Sequence, residues 1–154
     1  MAKRIAVGSD HGGFALKKNV IEELRKKRYN VYDAGTHSPE PCDYPDVGFE
    51  CAARVSRGKE KRAILICRTG IGMAIIANKL PGVRAGVCDR PLEAVSAREH
   101  NDINVLVLAA DRISVRDAVR IVNVWLSTRA RRGRHARRVD RIKEYEQKVF
   151  KKNI

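Results

Sequence analysis

The sequence predicts an α/β protein built on a parallel β-sheet with helices on both faces. Three observations carry this. Short β-branched and aliphatic runs alternate with segments of helical spacing along the chain, the pattern of strand–helix–strand units. The strand runs are apolar at nearly every position, as burial on both faces requires. The turns after several runs are rich in glycine and small polar residues, where such folds place their ligands.

The first strand is Lys3–Gly8 (KRIAVG). Gly13–Lys27 has helical spacing, with Phe14, Leu16, Val20, Ile21 and Leu24 on one side. Tyr29–Asp33 reads as strand two. The following stretch, AGTHSPEPCDYPD, holds three of the five prolines and is expected to be loop. A helix over Val47–Arg57 leads to strand three, Ala63–Cys67. After the glycines at 70 and 72 an apolar helix runs to about Leu80-Pro81-Gly82. Val83–Cys88 is strand four, and Pro91–Glu99 a helix with proline in its first turn. Asn104–Ala109 is strand five, and Ser114–Thr128 an amphipathic helix with Val115, Val119, Val122 and Leu126 on its apolar side. An arginine-rich helix closes the chain from about Gly133. With 154 residues, no repeat and no low-complexity linker, one domain over 1–154 with a hydrophobic core is expected.

Composition narrows the function classes. No run approaches the roughly 20 apolar residues of a membrane helix. The apolar stretch in MAKRIAVGSD is too short for a signal peptide. The four cysteines (42, 51, 67 and 88) form no CxxC pair and no zinc-spaced cluster with histidine. Reduced thiols in a cytoplasm are the expectation. The net charge is +14, and residues 127–154 alone carry eleven Lys/Arg against three acids. A basic chain meets something negative: nucleic acid, acidic lipid or a phosphorylated metabolite. No RNP motif, zinc finger or aromatic-interleaved basic face supports nucleic acid as the main partner.

Chemistry concentrates just after the strands. In ILICRTGIGMAIIANK (64–79), Cys67 stands where strand three should stop, and Gly70 and Gly72 follow. Backbone N–H groups in such a turn attract anions, and glycine lets the backbone come close to a ligand. The loop is neither a Walker A motif nor the GxGxxG fingerprint, because Ile75 takes the third glycine position. A tight turn with no ligand is the alternative. Near this turn and beside Arg68, Cys67 is expected to ionise readily and to suit a nucleophile or a general base. The plainer role is a small buried hydrophobe, the role assigned to Cys42, Cys51 and Cys88. After strand one, Asp10 and His11 precede two glycines, a pair suited to gripping hydroxyls or moving a proton. Asp10 also suits a helix N-cap. His100 and Asn101 lie in REHND where a helix meets strand five, a place where a lone histidine is usually surface. Arg134 and Arg138, among seven arginines over 129–141, stand four apart on one helix side and suit a two-guanidinium phosphate clamp.

Taken in order, GSDHGG (8–13), DYPD (43–46), ILICRTGIGMAIIANK (64–79), PGVRAGVC (81–88), REHND (98–102) and GRHARRV (133–139) resemble the type B ribose-5-phosphate isomerases of the ribose/galactose phosphate isomerase family, over about residues 3–146. The resemblance implies a three-layer Rossmann-like fold with a five-stranded parallel sheet of order 2-1-3-5-4. It implies a homodimer, to which the C-terminal helix contributes, with two shared active sites, and a tetramer is the other assembly in view. It implies metal-free, cofactor-free interconversion of an aldose phosphate and a ketose phosphate through a cis-enediolate, with ribose 5-phosphate as substrate or else allose or galactose 6-phosphate. By the same resemblance Cys67 is the base, and Thr69 with the amides of Gly70, Ile71 and Gly72 steadies the enediolate. His100 helps open the sugar ring, with Asp10 near the ring oxygen. Asp10, His11, Tyr44 and Asn101 hold the sugar, and Arg134 and Arg138 hold the phosphate, part of this set coming from the partner subunit. Three departures stand out. Arg68 replaces the usual glycine after the cysteine. Met73 occupies the position where one branch carries a catalytic glutamate, so Cys67 must act. An ungapped alignment places Asp111, not Arg112, on a family arginine.

Overall fold

The computed structural model describes residues 3–151. Its five strands are β1 (Arg4–Ser9), β2 (Asn30–Gly35), β3 (Ala63–Cys67), β4 (Ala85–Val87) and β5 (Val105–Ala109). They form one parallel sheet in the order β2-β1-β3-β5-β4. The helices are α1 (Phe14–Lys26), α2 (Tyr44–Ser56), α3 (Ile71–Ala77), α4 (Pro91–Asn101), α5 (Val115–Ser127) and α6 (Arg134–Lys151).

Alternation along the strands divides the core in two. Ile5, Val7, Ile64, Ile66, Leu106 and Leu108 face α1, α4 and α5, where Trp125, Ile121 and Val20 are fully buried. Ala6, Leu65, Cys67, Val105 and Val107 face α2 and α3, where Met73, Ala52 and Ala77 pack. Each face removes apolar surface from water, the main favourable term in folding.

Register fixes what lies at each end of the sheet. Ala63 pairs with Val105, and Cys67 with Ala109. Cys67 and Asp10 therefore lie at the carboxyl ends of adjacent strands. Helix α4 runs back the other way and delivers His100 and Asn101 to the amino ends, just before β5 begins.

Several boundaries differ from the sequence expectation. Helix α2 starts at Tyr44, not Val47, and absorbs Pro45 into its first turn, where proline loses no hydrogen bond. Helix α3 stops at Ala77, because the Asn78 side chain bonds back to the Ala74 carbonyl and across to Ala85 of β4. Strand β4 is shortened to three residues. Strand β2 extends to Gly35, and α4 reaches Asn101. A buried lysine steadies the loop after β2: Lys17, 1 % exposed, donates to Asp33 (2.5 Å) and to the Thr36 carbonyl (2.6 Å). Burial pushes the Asp33 carboxyl up, but Lys17 and the Gly35 N–H outweigh it and hold the group below its ordinary range.

Candidate active site

Two clusters hold every chemistry-bearing residue singled out in the sequence, and they sit at opposite ends of the sheet. The first gathers Asp10, His11, Tyr44, Cys67, Arg68, Thr69, Gly70, Ile71 and Gly72. Cys67 ends β3 and is 5 % exposed. The Gly70 N–H donates to its Sγ at 3.2 Å, a hydrogen bond that gains strength when the acceptor carries charge. Gly70 reaches this position at φ 76°, in the left-handed region that other residues enter at a cost. The Ile71 N–H turns to Thr69 Oγ1 at 3.3 Å. Two of the loop amides thus bond to Cys67 and Thr69 at the foot of the turn.

Glycine at 72 makes room for an aromatic wall. A methyl group there would lie 2.6 Å from Tyr44 Cζ, so the ring rests directly on the first turn of α3. Asp10 caps the short 3₁₀ turn His11–Gly13, accepting from the Gly13 N–H at 3.0 Å. The cap fixes the carboxylate, whose second oxygen is left without a bond to the turn. His11 Nδ1 accepts from the Cys42 N–H at 3.2 Å, so the neutral ring carries its proton on Nε2. Arg68 runs across Gly12 and ends 3.6 Å from Asp111 Oδ1.

The second cluster is His100, Asn101, Arg134 and Arg138. Here α6 lies against α4, and the rings of His100 and His135 stack with centroids 4.3 Å apart and planes 10° from parallel. Arg131 pairs with Glu99 at 2.9 Å, and its N–H donates to the Glu99 carbonyl at 2.9 Å. Beneath them Arg98 is buried, donating to Asp102 (2.6 Å), the Ile103 carbonyl (2.8 Å) and the Thr128 carbonyl (3.4 Å). These contacts hold the end of α4 and the start of α6 as one unit. His135 is held below the ordinary histidine value, by burial first and then by His100, Arg134, Arg138 and Arg131. At roughly 3.3 Å per residue, the sheet separates this cluster from Cys67 by on the order of 15 Å.

The chain matches the family model described as Ribose/Galactose Isomerase over residues 5–142. The chain belongs to the ribose/galactose isomerase family. It is 42% identical to ribose-5-phosphate isomerase B of Escherichia coli, over 95% of this chain and 98% of that protein. The solved ribose-5-phosphate isomerase B of Clostridium thermocellum superposes with a TM-score of 0.92 at 46% identity, covering 95% and 99% of the two chains. That of Mycoplasma genitalium, solved with bound ribulose-5-phosphate, gives 0.92 at 38% identity over 96% and 98%. The family fold is the one described above, with the strand order that the motifs implied.

Within this family scaffold the remaining thiols are unlike Cys67. Burial pushes the Cys88 thiol up to about 12 and raises Cys51 further, so both pack as small apolar groups, as expected from sequence. Cys42 is different. It is only half-buried, and its backbone orients His11. One further residue escaped sequence reading: His135 carried no signal beyond its place among arginines. Asp111 was visible as a departure from the family pattern, but its pairing with Arg68 was not. Met73 is fully buried under α2. Among the described residues, no helix is long and apolar enough to cross a membrane, and no group of three or more His, Cys, Asp and Glu is arranged to hold a metal ion.

Proposed function

We propose that the protein interconverts ribose 5-phosphate and ribulose 5-phosphate in the cytoplasm, as a single 154-residue unit working in a homodimer. The observation that carries this reading is a thiol at the carboxyl end of β3, facing a glycine loop and an Asp-His turn, on the family's own scaffold. The names of the relatives support the substrate.

Cys67 acts as general base, moving a proton between C1 and C2 of the open-chain sugar. The enediolate formed is an oxyanion. Thr69 and the amides of Gly70, Ile71 and Gly72 donate to that oxygen. Fixed donors in a site closed to water stabilise such a charge by about 3 kcal/mol each. Asp10, His11 and Tyr44 grip the sugar, His11 as a donor through Nε2. The proton moves between two carbons of one sugar with no change of oxidation state in the protein, so the mechanism needs no redox cofactor, and the family resemblance supports a reaction without metal.

His100, Asn101, Arg134 and Arg138 lie beyond the sheet from their own Cys67, and a second copy supplies them. His100 promotes ring opening, and the two arginines bind the phosphate, adding binding energy remote from the reacting carbons. Exposed apolar groups support a surface for that copy: Ile142, Tyr145, Val149 and Phe150 on α6, and Ile71 and Ile75 on α3.

Steady-state kinetics on ribose 5-phosphate beside allose and galactose 6-phosphates, with and without EDTA, test the substrate and metal independence. Cys67→Ala is expected to lose turnover by at least about 10³-fold while keeping substrate affinity. Full turnover in that variant ends the base assignment. Preference for a six-carbon sugar moves the assignment within the family.

A further inference from the structure

Arg68 is the one side chain at the Cys67 site that is both mobile in principle and already engaged by a carboxylate. Its Cγ would lie 2.5 Å from a methyl on Gly12, and its Nε and Asp10 Oδ1 would lie 3.1 and 3.3 Å from that same methyl. The side chain therefore passes over the Asp10–Gly13 turn, beside the Asp10 carboxylate. It ends at Asp111, 3.6 Å away, with the two side chains 61% and 54% exposed. The backbone beneath is rigid: the Ala110 N–H donates to the Cys67 carbonyl (2.9 Å) and the Asp111 N–H to the Arg68 carbonyl (3.1 Å). Above this backbone, the side-chain pair is exposed and free to part.

We propose that Asp111 is a positioning residue that latches Arg68 beside the Asp10–Gly13 turn of the Cys67 site, and that the substrate's phosphate draws Arg68 off the latch. This rests on the sugar-phosphate reading above. The chemistry favours exchange. An exposed pair at this separation is weak, whereas a phosphate dianion offers more charge and two oxygens to the guanidinium fork. The reach is also right, because the Arg68 side chain from Cα to guanidinium carbon has as many bonds as a pentose phosphate from C2 to phosphorus. Arg112, one residue on, is held apart by its own carboxylate, Asp89 Oδ2 at 3.0 Å, which leaves Arg68 as the arginine free to turn inward. Asp111 thus competes with the substrate for Arg68, and its cost appears in KM.

The test is a double-mutant cycle on the full chain with ribose 5-phosphate. Asp111→Asn keeps the backbone bond and the side-chain shape. It is expected to lower KM by about two- to fivefold with kcat unchanged, the size of one exposed ion pair. Arg68→Gln is expected to raise KM, and in that background Asp111→Asn changes nothing. An unchanged KM in the single variant overturns the latch. So does an equal drop in the Arg68→Gln background, which reports a general field effect, or a change confined to kcat. Melting temperatures of the three variants verify folding. The absence of turnover in the unaltered chain overturns the isomerase reading and the latch together, whereas normal turnover with an indifferent Asp111→Asn variant removes the latch alone.

Discussion

At the scale of single residues, the site is shaped more by what is missing than by what is present. Gly70 and Gly72 have no side chains, and for different reasons. Gly72 yields its space to Tyr44. Gly70 occupies a left-handed conformation, and a methyl there would also meet Val87 Cγ1 at 3.0 Å. Gly58 has a similar φ of 72° but open space around it, so the two positions separate strain from crowding. Gly58→Ala is expected to cost about 1 kcal/mol and Gly70→Ala about 2 kcal/mol or more, read from urea midpoints. Equal costs would mean that the valines yield without penalty. Much at this scale was legible in the sequence: a cysteine ending an apolar run before two spaced glycines announces itself. The tautomer of His11 did not, because it depends on an amide 31 residues away in a proline-rich loop.

Among the elements, the strands were the easiest to read, since five apolar runs leave little choice. The errors fell at helix ends, where a single side chain decides. Pro45 lies in the stretch expected to be loop and instead opens α2, while Asn78 closes α3 a turn early. Helix α6 holds to α4 through the His100–His135 stack, with Glu99, Arg131, Arg134, Arg138 and Asp140 around it. Two protonated rings at this separation repel. His135 is depressed in the folded chain relative to about 6.5 unfolded, so the unfolded chain takes up the proton first. The contribution of His135 to the docking of α6 is therefore fully present above about pH 6.5 and is lost as pH falls through the folded value. Thermal melts at about pH 7.5 and about pH 5.5 are expected to differ less in His135→Gln than in the unaltered chain. Identical pH dependence in the two would assign the effect elsewhere.

For the molecule as a whole, the decisive fact is that one chain carries two sets of candidate groups at opposite ends of its sheet. The sequence named both sets, but only the parallel register put a sheet between them, and no linear pattern reports a distance through the core. The proposed assembly makes a sharp prediction. Cys67→Ala and His100→Ala damage different halves, so a mixed dimer keeps one pocket free of both changes. Co-refolding equal amounts of the two inactive variants is expected to restore about a quarter of normal activity, as random pairing makes half the dimers mixed with one good pocket each. Recovery of nothing would mean that each chain works with its own groups.

The placement of His100 beyond the sheet from Cys67 also governs how the catalyst behaves when it is scarce. On this assembly, a lone copy is inert however well it folds. Below the association threshold, the rate rises with the square of the number of molecules present, so a cell that halves its supply loses three quarters of its flux.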